Sequence, residues 1–278
     1  MVDVLFICVI YSKHPNDSET VKSFKNINFK GFNITPKLAV WDNSTEGYGD
    51  DSVKSITNSD VFYFHEGKNE KLSVVYNRLI EYFSKKTDWV VILDDDSTLS
   101  DIYVSNVFSY IEKSKELQNT YIAVPKIFHD GILISPGMVK GVRGYVLKGI
   151  ENGLSKRRDL VAMMSGTILC INDKASLPKF DERLSFYGVD TKFFRDASKL
   201  SINVYILPVE IDHDSSLRDS SLSYRESFQR FSNLFRARHI IFEDVVFSKF
   251  RIKVYLFMFI MKKIINTKDI RYLKLLWK

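Results

Sequence analysis

The chain has 278 residues, 45% of them hydrophobic and 27% charged; this suffices for one large α/β domain, alone or with an appendage, and excludes wholesale disorder. The net charge of +6 is unevenly placed, because residues 225–278 carry 13 Lys/Arg against 4 Asp/Glu while the remainder sums to −3. A main body without a basic excess argues against nucleic acid as a partner.

The predicted elements alternate. Val4–Tyr11 reads as a buried strand, too short and too poor in basic residues at its start for a secretory signal. A short helix is expected over Asp17–Asn26. Pro36 marks a break, followed by a strand at Lys37–Trp41 that ends in the polar turn formers Asp42, Asn43, Ser44 and Thr45. Val61–His65 is a third strand. Leu72, Val75, Tyr76, Leu79, Ile80 and Phe83 recur at helical spacing, so Leu72–Lys85 is an amphipathic helix.

The fourth strand, Trp89–Leu93, is the most informative stretch. Five apolar residues end abruptly in Asp94, Asp95 and Asp96. In an open α/β sheet, ligands sit beyond the carboxyl ends of the strands. Three adjacent carboxylates there repel one another unless a cation joins them, and Mg²⁺ or Mn²⁺ prefers carboxylate oxygens shared with a phosphate. A helix over Ser100–Lys115, with Ser100 as N-cap, and a strand at Tyr121–Val124 stopped by Pro125 complete the alternating part.

Beyond Pro125 the order changes. Ile132–Gly153 is glycine-rich and hairpin-like, Met164–Ile171 strand-like, Gly188–Ala197 helical and Val204–Leu207 a last strand. From about Ser220 the pattern is helical and basic. Phe250, Val254, Phe257, Met258, Met261, Ile264 and Ile265 share a stripe flanked by Lys249, Arg251, Lys253, Lys262 and Lys263. This suits an anionic membrane interface, packing on the main domain, or self-association through the C-terminal helices; all three stay open. Cys8 and Cys170 lie in apolar runs and read as buried thiols, without the spacing of a zinc site. No run approaches the roughly 18 apolar residues of a membrane span, so a cytoplasmic protein is expected, with peripheral attachment to the membrane's inner face left open.

Seven segments, in order, resemble the family 2 glycosyltransferases of bacterial polysaccharide type: the first strand Phe6–Tyr11, V-W-D-N-S-T at Val40–Thr45, N-E-K-L-S-V-V-Y-N-R at Asn69–Arg78, L-D-D-D-S at Leu93–Ser97, M-S-G-T at Met164–Thr167, F-D-E-R-L-S-F-Y-G-V-D-T-K-F-F at Phe180–Phe194, and L-P-V-E-I-D-H-D-S-S at Leu207–Ser216. The resemblance implies a GT-A fold, an α/β Rossmann-like mostly parallel sheet flanked by helices, with a helical C-terminal tail. It divides the chain into residues 1–216, of which 1–125 hold the nucleotide-sugar and 126–216 the acceptor, and a basic amphipathic tail at 217–278.

The same resemblance implies sugar transfer from a UDP- or dTDP-linked donor to a glycan or lipid-linked acceptor, with inversion, in cell-surface polysaccharide synthesis. Asp42 would meet the nucleobase edge, with Tyr11, Asn69 and Asp95 also on the donor side. Asp94 would face the ribose or a metal-bound water, Asp96 would ligate Mn²⁺ or Mg²⁺, and His213 would complete the metal shell or touch the diphosphate. Asp190 would be the general base. The pattern departs at Val189, which replaces the first acid of a Glu-Asp pair, and at Lys192, which stands where an acid is common.

Plainer readings remain beside these. Asp42 suits an Asx-turn, Asp190 a helix cap, His213 a surface loop, and Lys156–Arg158 a solvated charge run. Asp94, Asp96 and Thr98 also spell the D-x-D-x-T of a haloacid-dehalogenase-type phosphatase, although three strands precede it. A non-catalytic nucleotide-sugar-binding homologue would account for Val189.

Overall fold

The computed structural model describes residues 1–172, 176–212 and 223–277. Its strands are β1 (Val2–Ile10), β2 (Ile34–Asp42), β3 (Val61–His65), β4 (Trp89–Leu93), β5 (Thr120–His129), β6 (Ile132–Ser135), β7 (Gly137–Lys140), β8 (Arg143–Val146), β9 (Gly153–Ser155), β10 (Leu160–Val161), β11 (Thr167–Cys170) and β12 (Asn203–Asp212). The helices are α1 (Glu19–Asn26), α2 (Asp50–Ile56), α3 (Leu72–Phe83), α4 (Asp101–Ser114), α5 (Val189–Lys199), α6 (Tyr224–Ile241) and α7 (Ser248–Thr267), followed by a 3-10 segment at Ile270–Trp277.

The main sheet runs β3-β2-β1-β4-β11-β5-β12-β9, with β6 on β5; a second sheet runs β10-β7-β8. β11 is antiparallel to both β4 and β5, and β9 to β12; β3, β2, β1, β4, β5 and β12 share one direction. Their carboxyl ends therefore form one edge, and the amino end of β11 joins it.

Alternation along each strand sends successive side chains to opposite faces. Leu5, Ile7, Ala39, Trp41, Val90 and Ile92 pack with Val75, Tyr76 and Leu79 of α3 and Phe193, Phe194 and Ala197 of α5. Phe6, Cys8, Leu38, Val40, Val91 and Leu93 pack with Val21 and Phe24 of α1 and Val104, Val107 and Tyr110 of α4. Cys8 and Cys170 are buried free thiols, as their sequence context indicates. The C-terminal helices join the first layer: Ala237, Ile241 and Ile252 are part of its core. No helix among the described residues is long and apolar enough to cross a membrane.

Two prolines expected to break strands lie inside them. Pro36 pairs with Val4 in β2. Leu38 donates its N–H toward Asp60 on the β3 side, so Pro36, of the same parity, turns its missing donor to that side, ahead of the first β2–β3 pair. Pro125 sits in β5 where pairing with β12 is irregular and before β11 begins, so no regular ladder is interrupted. β12 likewise runs beyond Leu207 to Asp212. α2 was not foreseen; its seven residues offer little apolar periodicity.

Helix starts follow local chemistry. Ser18 and Ser100 accept hydrogen bonds from Val21 N and Tyr103 N, and Ser223 with Glu226 forms a capping box on α6. α5 begins differently. Gly188 adopts φ 82°, and a Cβ there would lie 2.4 Å from Ile241 Cδ1. Both the backbone and the close approach of α6 require glycine.

Candidate active site

The common edge gathers the acidic residues. Asp94 continues the parity of Val90 and Ile92, the side of β4 that faces α3 and α5. Asp190, in the first turn of α5, stands on that same side. Burial and then the charge of Asp94 push the Asp190 carboxyl up to about 7, although Met164 N donates to its Oδ2 at 3.2 Å. Tyr76 of α3 is buried beside both; burial, then Asp94 and Asp190, raise its phenol well above the ordinary value. A carboxylate poised near neutral pH, beside a second acid and partly open to solvent, can accept a proton from a bound hydroxyl.

Hydrogen bonds fix the acidic loop. Thr20 Oγ1 donates to the carbonyls of Asp94 and Ser97 at 2.5 and 2.9 Å, and Ser18 Oγ donates to the Asp95 carbonyl at 2.8 Å. Ser97 Oγ meets Asp94 N at 3.2 Å and Ser165 Oγ at 3.2 Å. Gly166 N donates to Ile92 O at 2.8 Å. The segment Met164–Gly166 thus ties the end of β4 to Asp190. Burial is the main cause that pushes the Cys8 thiol, beneath this loop, up to about 12, which leaves it inert.

The three acids differ. Asp95 is ion-paired with Lys13, whose ammonium is held protonated above its usual range by that hydrogen bond. Asp96 is exposed and Asp94 half-buried. Among the described residues no three His, Cys, Asp or Glu side chains form a metal-binding group, and His213 lies outside the described residues. Two carboxylates at a strand end still suit a hard cation, since Mg²⁺ and Mn²⁺ take one or two carboxylates and draw further oxygens from phosphate and water.

Asp42 ends β2 fully buried. Its Oδ1 accepts from Ser44 N at 3.0 Å and its Oδ2 from Tyr63 OH at 2.6 Å; burial and then this hydrogen bond hold the Tyr63 phenol protonated. The bonds of the Asx-turn reading are therefore present. Ser44 Oγ accepts from Ser12 N at 2.8 Å, joining the loops after β1 and β2. Asn43 Nδ2 donates to Asn69 Oδ1 at 2.9 Å, which brings Asn69 to this end, and Tyr11, at the end of β1, is exposed. Tyr11, Asp42 and Asn69 thus gather at one end of the edge, with Asp94 and Asp190 further along.

Both departures are structural. Val189 is completely buried in the core. Lys192 is buried too, its Nζ 2.7 Å from Asp196, 3.7 Å from Glu243 and 3.9 Å from Asp181. Lys13, Ser18, Thr20, Tyr63 and Ser165 were missed from sequence. Their partners are distant in the chain and no spacing marks them; the expected helix over Asp17–Asn26 takes in Ser18, which in the structure is its N-cap. A cavity of about 680 Å³ opens at Asp96, which lines it together with Tyr103, Phe128, His129 and Asp212.

No family model and no curated protein sequence matches the chain. Among solved structures, GalNAc-T7 crystallised with UDP, GalNAc and Mn²⁺ matches with a TM-score of 0.59 at 11% identity, over 85% of this chain and 47% of that one. TarS of S. aureus, residues 1–349 with UDP, matches with a TM-score of 0.49 at 11% identity, over 85% of this chain and 65% of that one. The chain spans about half the length of the GalNAc-T7 structure. The fold is that of GT-A glycosyltransferases, with a mostly parallel central sheet flanked by helices and helices at the C-terminus.

Proposed function

We propose that the chain transfers a sugar, a hexose or deoxyhexose, from a UDP- or dTDP-linked donor to a hydroxyl of a glycan or lipid-linked glycan in cell-surface polysaccharide synthesis. The carrying observation is the pairing of Asp94 at the end of β4 with Asp190, whose carboxyl sits at about 7. Residues 1–125 would hold the donor and 126–216 the acceptor. The nucleobase would lie at the Asp42 end, in a wall that Asp42 shapes through Ser44 and Tyr63, with Tyr11 and Asn69 at its mouth. Asp94 and Asp96 would hold Mn²⁺ or Mg²⁺, which neutralises charge on the leaving diphosphate when bound.

In this reading Asp190 takes the proton of the acceptor hydroxyl as its oxygen bonds to the anomeric carbon. The bond from that carbon to the diphosphate oxygen breaks, and the nucleoside diphosphate leaves with the electron pair. Attack opposite the leaving group inverts the anomeric centre. Val189 leaves a single carboxylate for this work, and the shifted Asp190 supports its sufficiency. The phosphatase alternative would open the fold with its nucleophile strand, whereas β1, β2 and β3 all precede the strand that ends in Asp94.

The test is a thermal-shift screen of UDP, dTDP and their sugar conjugates with and without Mn²⁺, followed by a transfer assay. A ligand that binds only the folded state raises its melting temperature. A metal-dependent rise with a nucleoside diphosphate is expected; no rise with any of them, or turnover of an aryl phosphate, rejects the proposal.

A further inference from the structure

α7 is covered on one side only. Ile252 and Ile260 are fully buried, and Leu256, Phe259 and Ile264 pack inward. On the other side Phe250, Val254, Phe257, Met258 and Ile265 stand in solvent at helical spacing, continued backwards by Phe247; Phe250 is 70% exposed and Phe247 77%. At 1.5 Å per residue, this ridge from Phe247 to Ile265 is about 27 Å long. Lys249, Arg251, Lys253 and Lys262 are exposed along the same helix.

The ridge does not stand alone. The β7–β8 hairpin runs beside it, with Gly141 close to the Arg251 guanidinium. Between hairpin and helix lies an open groove of about 300 Å³, rimmed by Lys140, Arg143 and Arg251 and floored by Phe250, Val254 and Met258. Tyr145, under the Arg143 guanidinium at 5.0 Å, and Val146 add exposed apolar surface on the hairpin side.

We propose that this combined face, ridge and hairpin, docks the protein on the surface of an anionic phospholipid bilayer. Soluble monomers rarely leave so continuous an apolar strip uncovered. A helix with apolar side chains on one flank and cations beside them lies in the headgroup region, with its apolar face among the upper acyl carbons. Charge selects this occupant over a second copy of the chain. Neither 245–268 nor 140–148 contains an Asp or Glu, so apposing two such faces would bring like charges together, whereas anionic headgroups neutralise them. The cation-rimmed groove over an apolar floor matches a phosphodiester headgroup above the start of its chain. The helix lies on the membrane and does not cross it. This docking does not depend on the transfer reaction.

The experiment is flotation of the full chain with vesicles of phosphatidylcholine alone and with about 30% phosphatidylglycerol. The protein is expected to float only with the anionic vesicles and to release in about 0.5 M salt. Phe250→Ser with Phe257→Ser, and separately Arg143→Glu with Arg251→Glu, are each expected to weaken partitioning at least about tenfold while the melting temperature and the thermal shift with nucleoside diphosphate stay as in the parent. The charge pair and the salt series decide the matter even if the phenylalanine pair fails to fold. Equal binding to both vesicle types, unchanged partitioning of the charge pair, or a dimer by light scattering that either pair dissolves would overturn the proposal.

Discussion

Asp94 and Asp190 come from different layers, a strand end and a helix start, yet the charge of the first is felt at the carboxyl of the second. Asp190→Asn is expected to lower kcat by about 10²–10⁴-fold, the usual worth of a positioned base, while nucleoside diphosphate affinity changes less than about twofold. In the parent, activity should fall as pH drops below about 7, because the base must be ionised. A rate profile flat across that range, or an active Asn variant, would remove Asp190 from the reaction.

The same shift has a stability consequence of definite sign. A carboxyl whose folded pKa is raised binds more protons folded than unfolded, so stability falls as pH climbs from about 4 to about 7 and then levels. Asp190→Asn should remove that fall and make the protein about 2 kcal/mol more stable at pH 8, a figure reduced from the full shift because Asp190 is only partly buried. Urea unfolding at pH 5 and pH 8 compares the two proteins.

In the proposed reaction Asp96 would hold the metal, and a binding assay isolates that role. Asp96→Ala is expected to weaken UDP or dTDP binding by about tenfold or more in the presence of Mn²⁺ and to leave metal-free binding unchanged. Calorimetric titration gives both numbers. Equal affinities with Mn²⁺ for variant and parent would dismiss the assignment.

Lys13 gives a less obvious expectation. Its ammonium offsets Asp95 within the acidic loop. Lys13→Met should make the cluster more negative and tighten binding of Mn²⁺ alone by about threefold or more. Weaker Mn²⁺ binding would mean that Lys13 orders the loop rather than merely offsetting its charge.

Gly188→Ala tests the seating of α5. The substituted residue would hold a left-handed backbone and press its Cβ on Ile241. A loss of about 2–4 kcal/mol in chemical unfolding is expected. Adding Ile241→Val should restore only part of it, since relieving the clash leaves the backbone strained.

The legible parts were those where one local pattern suffices. Trp89–Leu93 is apolar throughout because both faces of β4 are buried, and the acids after it mark the strand's end. Leu72–Phe83 shows its buried stripe directly. Pro36 and Pro125 misled because a proline's effect depends on which neighbouring strand has already begun, and this is not local. Asp42 showed its type but not its burial, and Lys13 was hidden because its meaning comes from Asp95, far along the chain. Lys192 looked like a departure at the site; in fact its position belongs to an ion cluster with Asp196, Glu243 and Asp181.

Because β11 returns between β4 and β5, the chain from His129 to Thr167 begins and ends on adjacent strands of the same edge. That excursion, which carries the small sheet and lends β9 to the border of β12, has no strand of its own paired with β1, β2 or β4, so a change in its length leaves their register beneath the acids untouched.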